Sequence, residues 1–296
     1  MTKQPNIRKN FPFKKRGFII LFFLIRIHIL TMIKDLNVAL LPFEISWGDK
    51  DTNIKKLEDT LSFLHPQTDL LILPETFSTG FPTTTDKETV RETAEKNSGE
   101  TIQRLKSLAY KYKIAIAGSF IADTGGLLFN RLFFIEPSGE ETFAEKRHLF
   151  TMAGEDNIFS RGDKRMIIRY RGWNISMIAC YDIRFPVWCR NRKNEYDLLI
   201  AVANWPVTRV RAWEALLIAR AIENEAYVCG VNCSGEDPNK NVYNGSSAAI
   251  DFKGKDIGVK LPSSPFIYAT LSRERLDRFR EKFPAWNDAD EFSLIY

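Results

Sequence analysis

The chain has 296 residues, 44% of them hydrophobic, which suits one large α/β domain or two small ones and excludes a disordered chain. Its formal net charge is +5, yet seven bases (Lys3, Arg8, Lys9, Lys14, Lys15, Arg16, Arg26) and no acid fall within residues 1–31. Without them the chain holds 35 basic and 37 acidic residues. The body is near neutral, which excludes the basic footprint of a nucleic-acid binder.

Residues 1–31 open on a basic stretch followed by the apolar run Gly17 to Ile25, the order of a secretory signal. No small-residue cleavage site follows, and Arg26 and His28 interrupt the segment. The run also falls short of the roughly 17–25 residues that span a bilayer. Residues 1–31 therefore read as a leader outside the fold, with Met32 as a natural start and residues 32–296 as one domain. An export signal or membrane tether is the alternative.

In chain order, Leu36 to Leu41 reads as a strand, and Asp51 to Leu64 as a helix with Ile54, Leu57, Leu61 and Leu64 on one face. Asp69 to Glu75 is a buried strand stopped by Pro74. Glu100 to Tyr112 is a helix, and Ile114 to Ser119 a strand. Leu128 to Ile135 and Thr142 to Lys146 form a hairpin around Pro137-Ser138-Gly139. Met166 to Tyr170 and Trp173 to Cys180 form another around Arg171-Gly172. Leu198 to Ala203 is a strand, Arg209 to Asn224 a helix, Tyr227 to Asn232 a strand and Ser272 to Phe283 a last helix. With no repeat or linker between Leu36 and Leu271, this order predicts a layered α/β sandwich with helices over the sheet faces.

The four cysteines (Cys180, Cys189, Cys229, Cys233) are too few for a disulfide framework, and Cys229 and Cys233 lack the partners of a zinc site. A reducing, cytoplasmic compartment is expected. No metal, nucleotide or flavin motif is present; Gly125-Gly126 is a turn signal.

Reactive side chains in α/β folds sit just beyond the carboxyl ends of strands. Glu75, Lys146 and Cys180 each occupy such a position: a carboxylate, an amine and a thiol from three strands. Taken singly, each has a plainer reading. Cys180 suits a core, Glu75 a solvated loop or helix cap, and Lys146 a charged surface run.

Together they carry more. Leu73-Pro74-Glu75-Thr76-Phe77, Glu145-Lys146-Arg147-His148-Leu149-Phe150 and Ala179-Cys180-Tyr181-Asp182-Ile183-Arg184-Phe185-Pro186 resemble the three motif blocks of the nitrilase superfamily of carbon–nitrogen hydrolases. Ala203-Asn204-Trp205-Pro206 and Ala219 to Asn224 are similar to it as well. Phe77 to Phe81, Arg147 to Phe150 and Asn204-Trp205-Pro206 are most similar to its omega-amidase branch.

The resemblance implies a four-layer α-β-β-α sandwich and a cofactor-free amide hydrolase with Cys180 as nucleophile, Glu75 as proton carrier and Lys146 as cationic stabiliser. It implies a second glutamate after the lysine loop, for which Glu155 is the best match and Asp156 the weaker one. It also implies a homodimer or higher homo-oligomer built through the Arg209 to Asn224 region. The partners are then a small amide substrate and water, with no nucleic acid and no stable membrane span. A free thiol is mostly protonated at neutral pH, so Cys180 needs a base. The backbone N–H of Tyr181 is the second candidate oxyanion donor.

Phe77, Phe150 and Trp205 are candidate pocket walls, with core packing as the alternative. Omega-amidases act on 2-oxo-acid amides such as 2-oxoglutaramate and 2-oxosuccinamate. Arg184 and Arg209 are therefore candidates for a distal carboxylate, with structural ion pairs as the alternative.

Other activities remain open within the family, including nitrilase and N-carbamoyl amide hydrolase. Outside it stand a Cys–His hydrolase and a non-catalytic scaffold. Only His65 and His148 lie beyond the leader to serve a Cys–His enzyme, and Cys180 lacks the flanking glycines of a sharp nucleophile turn.

Overall fold

A computed structural model of the chain describes residues 34–294. The expected leader, residues 1–31, lies outside the described residues.

Two sheets form the centre. The first has seven strands in the order β13-β14-β1-β2-β3-β4-β5. Its members are β1 (Leu36–Leu40), β2 (Leu70–Ile72), β3 (Ala115–Asp123), β4 (Leu128–Ile135), β5 (Glu141–Glu145), β13 (Val259–Lys260) and β14 (Ile267–Leu271). The second has five strands in the order β12-β9-β8-β7-β6. Its members are β6 (Ile167–Tyr170), β7 (Trp173–Ala179), β8 (Leu198–Ala203), β9 (Tyr227–Asn232) and β12 (Ala248–Ile250). A small separate hairpin pairs β10 (Ser234–Glu236) with β11 (Val242–Asn244).

Helices cover the outer faces. On the seven-stranded sheet lie α1 (Lys50–Thr60) and α3 (Glu100–Tyr112), with α2 (Lys87–Thr93) between them in sequence. Ile54 and Leu57 of α1 and Ile102, Leu105 and Ala109 of α3 pack into one apolar cluster with Ala39, Leu71 and Ile116 of the strands. Spacings of three and four put these side chains on one face of each helix, and each fully buried Leu or Ile contributes about 1.5–3 kcal/mol. Asp49 caps α1 by accepting the Thr52 N–H at 3.0 Å, and Lys113 closes α3 in the left-handed conformation.

On the other side α4 (Val210–Asn224) lays Trp213, Leu217 and Ala221 against Leu199, Ala201 and Val228 of the five-stranded sheet. The last helix, α5 (Arg273–Lys282), is tied down by Arg273 and Arg280, both paired with buried Asp197 at 2.7 and 2.8 Å. The two sheets face each other, where Phe134 of β4 meets Tyr170 of β6 edge-on at 5.4 Å. The architecture is the expected α-β-β-α sandwich.

Sheet direction places the site. β2 runs parallel to β3, and β7, β8 and β9 run parallel to one another. Parallel neighbours end at the same edge of a sheet, so the residues after β7 and β8 emerge side by side.

Candidate active site

Glu75 follows β2 by three residues and sits in a loop held from several sides. Thr76 takes a positive φ of 43° and donates its N–H to Ser119 Oγ at 2.8 Å. The Thr76 carbonyl then accepts the Thr79 and Gly80 N–H groups. Gly80, at φ 76°, lies so close to Trp47 that a Cβ there would sit 2.1 Å from the indole. Only glycine fits that approach, which directs Phe81 into the cavity wall.

Lys146 follows β5 directly. Its N–H donates to the Asn130 carbonyl at 2.9 Å, extending the β4–β5 ladder by one bond. Cys180 follows β7 and takes a positive φ of 44° as it enters a short 3-10 turn, Cys180–Arg184. The turn forms without flanking glycines. Asp182 makes the turn possible by folding its Oδ2 back to accept the Ala179 N–H at 3.2 Å. A non-glycine residue in this region stores about 1–3 kcal/mol of strain.

The three side chains meet. Lys146 Nζ donates to Glu75 Oε1 at 3.0 Å and to Glu155 Oε1 at 2.9 Å, with all three residues buried. The Cys180 thiol lies within electrostatic reach of both Glu75 and Lys146. Glu155 Oε2 also accepts the Phe150 N–H at 2.5 Å. Asp156, the other candidate, is exposed. Gly154, in the left-handed region, begins the one-turn helix that turns Glu155 inward and Asp156 outward.

Electrostatics follow from this burial. Desolvation alone would lower the Lys146 ammonium, but the Glu155 and Glu75 carboxylates override it and hold the group well above the usual lysine range. Burial raises Glu155, against the opposing pull of Lys146. Burial and the charge of Glu75 push the Cys180 thiol well above its ordinary value, so the resting sulfur is neutral.

Glu75 is oriented by two asparagines. Asn130 Nδ2 donates to Oε1 at 2.7 Å, and the Asn204 backbone N–H donates to Oε2 at 2.9 Å. Asn204 Nδ2 reaches the Glu75 carbonyl at 2.7 Å. No role for either residue was read from sequence. Asn204 stood in a recognised stretch, and the signal at Asn130 was a carboxamide inside the apolar strand Leu128–Ile135.

A cavity of about 580 Å³ opens above this group. Lys146, Cys180, Tyr181, Phe150, Trp205, Arg184 and Arg209 all line it. The Arg184 guanidinium lies over Trp205 at 4.9 Å and that of Arg209 over Phe150 at 5.4 Å. Both arginines are exposed, and neither forms an ion pair among the described residues. Phe77 is different. It is fully buried, edge-on to Phe43 and Phe133 at 6.4 and 6.0 Å, and belongs to the core. The turn at Thr76 sends Phe77 under the sheet, and Phe81 stands in the wall instead.

His148 lines another surface. Its ring stacks on Phe185 at 3.7 Å, its Nδ1 meets Asp182 at 2.8 Å, and it does not line the cavity with Cys180. Among the described residues, no cluster of three or more His, Cys, Asp or Glu is arranged to hold a metal ion. No helix there is long and apolar enough to cross a membrane.

A buried carboxylate and ammonium thus stand beside a partly exposed thiol at the edge of two facing sheets, and comparison with known proteins places the chain among hydrolases. Residues 37–281 match the carbon–nitrogen hydrolase family. The chain is 40% identical over 260 residues to omega-amidase YafV of Escherichia coli (strain K12), covering 88% of this chain and 98% of that one. It is 31% identical over 255 residues to 2-oxoglutaramate amidase of Bacillus subtilis (strain 168), covering 85% and 96%. The solved structure of XC1258 from Xanthomonas campestris, a CN-hydrolase superfamily protein with an arsenic adduct in its active site, superposes with a TM-score of 0.82. It is 38% identical and covers 88% of this chain and 99% of that one. The chain belongs to the carbon–nitrogen hydrolase family. It is a hydrolase of carbon–nitrogen bonds in amides.

Proposed function

We infer that the chain is an omega-amidase that hydrolyses the terminal amide of a short 2-oxo acid, such as 2-oxoglutaramate or 2-oxosuccinamate, through a thioester on Cys180. The observation that carries the chemistry is the buried pair of Lys146 and Glu75 at 3.0 Å, with Cys180 beside Lys146 in the lining of one cavity. The names of the relatives from Escherichia coli and Bacillus subtilis support the substrate class.

The thiol is neutral at rest, so attack and proton transfer are coupled. As Cys180 Sγ bonds to the amide carbon, its proton passes to Glu75. The carbonyl oxygen becomes an oxyanion stabilised by the Lys146 ammonium and the Tyr181 N–H. Collapse breaks the C–N bond, Glu75 returns the proton to nitrogen, and ammonia leaves. Water then adds to the thioester while Glu75 takes its proton. The second collapse releases the acid and restores the thiol. Glu155 keeps Lys146 charged and in place through the cycle.

Arg184 and Arg209, held over aromatic rings at the cavity wall, bind the carboxylate at the far end of the substrate. Residues 32–296 form the catalytic domain, with residues 1–31 outside it. Homodimerisation uses the outer face of α4, where Ile218 and Ile222 are exposed one turn apart. The free state of all four cysteines supports a reducing, cytoplasmic setting.

The test is ammonia release from 2-oxoglutaramate, 2-oxosuccinamate, a simple aliphatic amide, a nitrile and an N-carbamoyl amino acid. Preference for the first two is expected. Preference for the nitrile or the carbamoyl compound overturns the substrate assignment.

A further inference from the structure

Asn130 lies inside β4 and is 1% exposed. Its Nδ2 donates to Glu75 Oε1 at 2.7 Å, the same oxygen that receives Lys146 Nζ at 3.0 Å. Its backbone carbonyl accepts the Lys146 N–H at 2.9 Å. One residue thus contacts both the carboxylate and the main chain that carries the ammonium. The Asn130 Oδ1 is buried and finds no hydrogen-bond partner among the described residues.

That orphaned oxygen is informative. A carboxylate only accepts, so turning the amide round would set acceptor against acceptor at Glu75. The orientation is therefore imposed by Glu75, and it leaves a buried carbonyl unsatisfied at a cost in stability. A side chain kept only for packing in this apolar strand would be apolar. Asn204 repeats the arrangement on the other side, donating to Glu75 while its own Oδ1 is buried without a partner among the described residues.

We propose that Asn130 is a positioning residue that fixes the rotation of the Glu75 carboxylate and sets it in register with Lys146. The proposal rests on the roles given above to Glu75 and Cys180. Asn130 and Lys146 pin Oε1 while the Asn204 N–H pins Oε2, so the Cys180 proton meets a carboxylate of one orientation. Without Asn130, Oε1 is held by the ammonium alone and swings with it. The residue does not line the cavity and acts through Glu75.

Two variants test this, Asn130→Leu and Asn130→Asp, each read by thermal melting, steady-state kinetics and the alkylation rate of Cys180 with iodoacetamide. Asn130→Leu removes the orphaned acceptor along with the donor to Glu75, so the lost bond is partly offset and the variant folds with a melting temperature within a few degrees of the parent. Its kcat falls about 100-fold, the scale of a misplaced catalytic group, with KM unchanged. Alkylation slows in parallel, because it also needs Glu75 to take the thiol proton. Asn130→Asp preserves size, sets a second carboxylate against Glu75, and loses at least as much kcat. Parent-level kcat and alkylation in a folded Asn130→Leu protein overturn the proposal. So does a kcat that falls only in step with melting temperature. Glu75→Gln separates the two levels of the argument. Full ammonia release in that variant overturns the mechanism and this proposal together, whereas an inactive Glu75→Gln beside a fully active Asn130→Leu overturns this proposal alone.

Discussion

The Asp182 carboxylate accepts the backbone N–H of His148 at 2.8 Å, and that bond joins the loop after Lys146 to the turn that begins at Cys180. The same Oδ1 meets His148 Nδ1 at 2.8 Å, while Oδ2 holds the Ala179 N–H. Lys146 and Cys180 arrive from different sheets, and Asp182 fixes the two segments to one another.

Asp182→Ala is expected to lose stability and activity together. It orphans the buried Ala179 N–H, at about 1–3 kcal/mol, frees the half-buried His148 N–H and releases the strained Cys180 turn. Asp182→Asn keeps one acceptor and loses less of both. Thermal melting and ammonia release on the two variants check this. An Asp182→Ala protein of unchanged melting temperature counts against the clamp.

Lys146→Met leaves Glu75 and Glu155 buried without their cation, a change worth about 3–5 kcal/mol of stability. The pH dependence has a definite sign. Burial raises Glu155 above its unfolded value, so the folded state binds its proton more tightly. The associated stability is complete at acid pH and is lost as pH rises through the folded value. Removing the cation raises it further. The melting temperature of Lys146→Met should therefore climb as pH falls from 7 to 5, relative to the parent. A parallel pair of curves contradicts the reading.

The four thiols separate by burial. Cys189, Cys229 and Cys233 are buried with desolvation raising each, Cys189 to about 12, and only Cys180 is partly exposed. Limited iodoacetamide treatment of the native protein should label Cys180 first, as read by peptide mass spectrometry. Glu75→Gln should slow that labelling. Early labelling of Cys229 runs against the structure.

Much of the fold was legible because its long elements carry strong patterns. The periodicity of Glu100 to Tyr112 and the largely apolar segments Leu128 to Ile135, Leu198 to Ala203 and Tyr227 to Asn232 match α3, β4, β8 and β9 end to end. The short elements were not. Lys87–Thr93 buries only Val90, and β10 to β13 have two or three residues each, too few to show a period. At the site, strand ends and motif blocks marked Glu75, Lys146 and Cys180. Orientation was hidden. Phe77 and Phe81 look alike in sequence, and only the turn at Thr76 and the contact of Gly80 with Trp47 send one to the core and the other to the cavity. Asn130 acts through a tertiary contact with a residue 55 positions away, which no local pattern records.

Arg184→Met and Arg209→Met test the substrate end of the cavity. Each should raise KM for 2-oxoglutaramate about 10–100-fold, the scale of a hydrogen bond to a charged group. Neither should change turnover of an uncharged aliphatic amide. Equal losses on both substrates point to a structural role for the arginines.

The central claim is that Cys180 carries the acyl group, and replacing it is the most direct measurement. Ammonia release from 2-oxoglutaramate is compared between the parent and Cys180→Ala at matched concentration, with circular dichroism confirming that both are folded. The account predicts release by the parent and a background rate from the variant. Parent-level release from folded Cys180→Ala would contradict it.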